Sequence, residues 1–101
     1  MKTQNKYRMY LGRNRKQGAK VSVSSFDLFA NDHIIPALDC YTIIPAYGVW
    51  NGSAEQVFIV EVISDAPTMF ILMEKIAKAY KCRFSQECVL ITREAVGVEL
   101  I

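Results

Sequence analysis

Residues 56–63, QVFIVEVI, are apolar at odd and even positions alike after Gln56, with Glu61 the one interruption. A strand with one wet face alternates apolar and polar side chains. One that is apolar on both faces belongs in the interior of a sheet. Asn51-Gly52 lies just upstream and is a strong two-residue hairpin signal. The stretch before it, residues 41–44 and 47–50, is extended and interrupted at Pro45. Proline cannot donate to a ladder, so this strand is expected at an edge or bulged. A central strand hairpinned to an edge strand constrains everything else.

The remaining segments follow from period and punctuation. Residues 7–11, YRMYL, alternate and stop at Gly12, placing Tyr7, Met9 and Leu11 on one face and Arg8 and Tyr10 on the other. A polar turn, RNRKQGAK, comes next. Ser24 or Ser25 is expected to cap a helix, with Asp27 near its positive end and Pro36 stopping it at Ile35. Asp65-Ala66-Pro67 reads as a second helix start, with Asp65 as cap. Met69, Leu72, Met73, Ile76, Ala77 and Tyr80 follow at helical spacing, and the helix ends near Arg83. Residues 88–92 read as a strand. Val96, Val98 and Leu100 alternate beyond it, either as a kinked continuation or as a fifth, C-terminal strand.

The order β-α-β-β-α-β defines an α+β chain. Its economical packing is the ferredoxin-like α/β plait: an antiparallel sheet with strands one and three central, right-handed crossovers, and both helices on one face. The 101 residues make one domain, 1–101, with residues 1–6 expected as a flexible arm. Hydrophobic residues are 51% and charged residues 22%, a globular composition rich in apolar groups for its size. Two helices cover one sheet face only. The surplus predicts self-association through the open face, with a two-fold homodimer as the first expectation.

Charge is uneven. Residues 1–20 hold seven basic residues and no acid, +7 against −5 for the rest of a chain of net charge +2. Arg13, Arg15, Lys16 and Lys20 are therefore candidate phosphate contacts. Nucleic-acid binding through them is an alternative but is not favoured, because no glycine–aromatic RNA-binding pattern accompanies the charge. The three cysteines, Cys40, Cys82 and Cys88, form no C-x-x-C pair and are expected as reduced, partly buried thiols. The polar start is no signal peptide, and no apolar run approaches a membrane span, so a cytoplasmic protein is expected, in the host cytoplasm if phage-encoded.

The chain resembles a domain family of unknown function met in short bacterial proteins and in phage genomes. The matching stretches are residues 7–12, residues 24–36, Gly48-Val49-Trp50-Asn51-Gly52, residues 57–63 and, most specifically, AYKCRFSQECVL at 79–90. The segment Ile34-Ile35-Pro36-Ala37-Leu38 departs from the more polar pattern at that corner. The resemblance implies the plait fold and transfers no activity.

Several constellations merit weighing. Tyr80, Arg83, Phe84, Gln86 and Glu87 sit where the second helix meets the last strand. They serve either as a ligand site or as a packed helix stop that pairs loop amides. Arg8 and Glu61 belong to neighbouring strands and share the open face with Tyr10, as a register-fixing pair or as a pocket lining. Tyr47 and Trp50 are candidates for stacking on a partner, and Tyr10 and Phe58 occupy the positions where RNA-binding plaits carry aromatics. His33 lacks a nucleophile or second acid beside it and reads as an exposed helix histidine. No catalytic set, cofactor or metal is assigned. Arg8, Tyr10, Glu61, Tyr80 and Arg83 are the candidate ligand-binding residues. The function expected is that of a non-enzymatic, self-associating binding protein, with a phage accessory role among the options, that engages a host macromolecule or sequesters a small ligand. The alternative is a small plait-dimer enzyme with its pocket on the open face.

Overall fold

A computed structural model describes every residue except Lys16. Its elements are β1 (Lys2–Gly12), α1 (Val23–Phe29) running into a π-helical turn (Ala30–Ile34), β2 (Thr42–Trp50), β3 (Ser53–Ser64), α2 (Met69–Phe84) and β4 (Leu90–Val98). The four strands form one antiparallel sheet in the order β2-β3-β1-β4. This is the strand order of the plait, and β1 and β3 are central as their apolar pattern requires. The departure from a regular plait lies in the first helix. Its second half widens so that the Ile35 N–H donates to the Ala30 carbonyl at 2.9 Å, just before Pro36, which has no N–H to continue the ladder.

Both helices pack on the same side of the sheet. Tyr7, Met9 and Leu11 of β1 and Phe58, Val60 and Val62 of β3 meet Phe26, Phe29, Met73, Ile76, Tyr80 and Phe84 in one buried cluster. Aromatic rings organise it. Phe29 meets Tyr80 edge-on at 5.1 Å, Tyr80 leans on Phe84 at 4.8 Å, and Phe26 lies 4.3 Å from Phe58. Phe58 is therefore a core residue and not the open-face aromatic that its position in an RNA-binding plait suggested.

Four local expectations are corrected. Ser22 caps α1, its hydroxyl accepting from the Ser25 N–H at 3.0 Å, in place of Ser24 or Ser25. Asp65 does not cap α2. It pairs with Lys2 at 2.9 Å, and the helix starts after Thr68. No fifth strand forms among the described residues. β4 runs unbroken because β1 already extends from Lys2, giving residues 94–98 a partner at every step from Lys6↔Glu94 to Lys2↔Val98. The same pairing places residues 2–6, expected as an arm, inside the sheet. The hairpin is as expected, with Asn51 and Gly52 both at positive φ.

Candidate functional site

Register assigns the open face. Lys6, Arg8, Tyr10 and Gly12 of β1 stand beside Glu61, Ile59 and Val57 of β3, with Thr92 and Leu90 of β4 on the other flank. The face has two halves of different character. In one, Glu61 lies 3.8 Å from Arg8 and 3.7 Å from Lys6, and Lys6 lies 3.4 Å from Glu94. The expected Arg8–Glu61 pairing is present, with the Arg8 Nε buried and without a hydrogen-bond partner.

The other half is a groove of about 570 Å³. Tyr10, Val57, Ile59 and Leu90 line it from the sheet. The end of the β2–β3 hairpin, with Trp50, and the α2–β4 connection at residues 85–88 line its sides, along with Asn14, Arg15 and Glu55. The groove is open because both helices lie on the other side of the sheet, and the hairpin that walls it projects past them. A strand advances about 3.3 Å per residue and a helix only about 1.5 Å. β3 is therefore the longer element although α2 holds more residues, and the hairpin end is left uncovered.

Glu55 is held in this groove by its surroundings. Its Oε2 accepts from the Asn14 backbone N–H at 3.0 Å, while the Asn14 side-chain amide donates to the Ala54 carbonyl at 3.1 Å. The Gln86 amide donates to the Asn14 carbonyl at 2.6 Å and so ties the α2–β4 connection to the same segment. The carboxylate lies over Gly12, where a Cβ would stand 2.5 Å from Oε2. Beneath, the Tyr80 hydroxyl donates to the Gly12 carbonyl at 2.6 Å. Burial, and then the nearby Glu55 carboxylate, push the Tyr80 phenol well above its ordinary value.

The candidate residues read from sequence thus separate. Tyr10 lines the groove, and Arg8 and Glu61 lie in the charged half. Tyr80 is a core residue that supports the groove from below. Arg83 pairs with Asp32 at 2.9 Å and lies over the Phe29 ring at 5.9 Å, on the helix side. Arg13 closes the base of the loop, donating to the Val21 carbonyl at 2.9 Å and to Gln56 Oε1 at 3.0 Å. Arg15 sits over the Phe84 ring at 5.3 Å and lines the groove, Lys20 is exposed, and Lys16 lies outside the described residues. Tyr47 and Trp50 are exposed at the hairpin end and line the groove. His33 is exposed and its ring stacks on Phe29 at 4.9 Å. The cysteines are corrected from partly buried to exposed, and Cys88 lines the groove. Glu55, Gly12 and Asn14 were missed by sequence reasoning. The one available signal was a glycine ending a strand, which reads as punctuation.

Among the described residues no group of three or more His, Cys, Asp or Glu is placed to hold a metal, and no helix is long and apolar enough to cross a membrane.

A family model described as a protein of unknown function, DUF3574, matches residues 6–100. No curated protein matches the chain. Among solved structures, a phage SAM lyase in complex with S-methyl-5'-thioadenosine superposes with a TM-score of 0.67 at 17% identity, covering 90% of this chain and 80% of that one. A phage SAM lyase in its apo state gives a TM-score of 0.66 at 15% identity, covering 98% and 93%. At such identities the likeness is one of fold, and a fold hosts many functions.

Proposed function

The chain belongs to the DUF3574 family, whose function is unknown, and from that premise we propose that it is a small-ligand-binding domain whose site is the groove at the hairpin end of the open sheet face. The observation that carries this reading is the groove itself. It has an apolar floor, aromatic rings at Tyr10 and Trp50, and two acidic residues, Glu87 and Glu55, the latter with its carboxylate positioned by a backbone N–H. Its volume of about 570 Å³ falls within the range of small-molecule sites. The rings suit a planar heterocycle, and the fold shared with a lyase seen in complex with S-methyl-5'-thioadenosine supports nucleoside thioethers and sulfonium compounds as the first class to try.

Cys88 supplies the test. It lies in the groove, while Cys40 and Cys82 are exposed and do not line it. With saturating S-methyl-5'-thioadenosine or S-adenosylmethionine, iodoacetamide alkylation of Cys88 should slow several-fold relative to the other two thiols, as read by peptide mass spectrometry. Unchanged labelling of all three with both compounds removes the reading.

The shared fold favours a second reading, an enzyme acting on such a compound in the same groove. Incubation with S-adenosylmethionine and chromatography for S-methyl-5'-thioadenosine separates binding from turnover. Self-association is also part of the proposed function, supported by the apolar side chains left exposed at the hairpin end, Tyr47, Val49 and Trp50.

A further inference from the structure

We infer that the groove selects ligands carrying a positive centre, and that Glu55, seated over Gly12, is the residue that selects them. The inference rests on the ligand-binding reading and names the ligand class. Glu55 forms no ion pair with a described residue in this structure, although Lys6, Arg8 and Glu61 show how readily charges on this face pair. Among the described residues, the hydrogen bond to its carboxylate comes from the neutral Asn14 N–H. Glu55 is half-buried in the groove that Tyr10, Val57 and Ile59 also line, and a cation entering beside it gains more than it would on an open surface. The faces of Tyr10 and Trp50 add attraction of the same sign. The groove's described arginine, Arg15, keeps its guanidinium over Phe84.

Gly12 argues that this placement is built in. Its φ is not positive, so its backbone conformation is open to any residue. A Cβ there would stand 2.5 Å from Glu55 Oε2, so the carboxylate, the far end of a flexible side chain, would have to move aside. Glycine at this position leaves the carboxylate where it lies.

S-adenosylmethionine and S-adenosylhomocysteine differ by one methyl group and by the sulfonium charge. Isothermal titration of the wild type should give binding about tenfold tighter for the sulfonium. In Glu55→Gln the ratio should fall to near one, with the affinity for the thioether held within about twofold. Gly12→Ala, which displaces the carboxylate and keeps its charge, should also collapse the ratio, and thermal melts check that both variants are folded. Equal affinities in the wild type, or a ratio that survives Glu55→Gln, overturn the inference while leaving the groove a binding site. If neither compound binds the wild type and neither protects Cys88, both the ligand-site reading and this inference fall.

Discussion

Tyr80 joins the core to the groove through one atom. Its ring is wholly buried between Phe29 and Phe84, and its hydroxyl reaches the Gly12 carbonyl at 2.6 Å. Removing the hydroxyl in Tyr80→Phe leaves that carbonyl without this donor and should cost about 1–2 kcal/mol in a denaturant titration. The phenol also makes a pH prediction with a definite sign. Its folded value is raised, so the native state keeps the proton after the unfolded chain has begun to lose it. The stabilisation is complete below about pH 10 and is lost as pH rises beyond that, at about 1.4 kcal/mol per pH unit. Tyr80→Phe should therefore be less stable at pH 7 and show an alkaline limb shallower by one proton. An unchanged alkaline slope would remove the account of Tyr80. Glu61 behaves differently, since it stands between Lys6 and Arg8 and lies outside the groove. Glu61→Gln should cost about 1 kcal/mol, less at high salt, and leave ligand affinity unchanged. A fall in affinity would return Glu61 to the site.

At the scale of elements, the caps separate what sequence could and could not tell. The sequence pointed to Ser24 or Ser25 as the cap, and the turn geometry chooses Ser22 instead. Ser22→Ala should cost about 1 kcal/mol and Ser24→Ala less than about 0.5 kcal/mol in thermal melts. Equal losses would mean that the helix starts elsewhere. The central strands, the hairpin, the edge position of the Pro45 strand and the apolar stripe of α2 were all legible, because each depends on a period or a turn residue within one short segment. The length of β4 was not legible. It depends on residues 2–6, whose polar composition hides that they pair with β4 at every position from Lys2 to Lys6. The groove was illegible for the same reason at longer range. Asn14 and Glu55 meet across 41 positions and Asn14 and Gln86 across 72, and neither pair has a spacing that advertises it. Half of the proposed site is the absence of a side chain at Gly12. Only the Glu55 carboxylate lying over it gives that absence a meaning.

The molecule as a whole is longer than its chain length requires. Its extents are 46 × 29 × 23 Å and its radius of gyration is 14.1 Å, against about 13 Å for a compact domain of this size. The excess is the sheet projecting past its helices. That projection carries the hairpin end beyond the helical layer, where Tyr47 and Val49 are 71% and 68% exposed. The open face as a whole is less apolar than the composition suggests, because Lys6, Arg8, Glu61 and Glu94 occupy half of it. The surplus apolar surface is thus concentrated at the hairpin end. If self-association occurs, that end is the surface that rewards burial, at about 25 cal/mol per Å² of apolar area. Native mass spectrometry at micromolar concentration should then show an oligomer, and Val49→Ser should shift it toward monomer while the melting temperature of dilute protein stays nearly constant. Glu61→Gln, in the charged half, should leave the subunit number unchanged. An oligomer insensitive to Val49→Ser but broken by Glu61→Gln would move the interface to the charged half. A wild-type monomer would mean that the hairpin end stays in water and that the groove is complete within one chain.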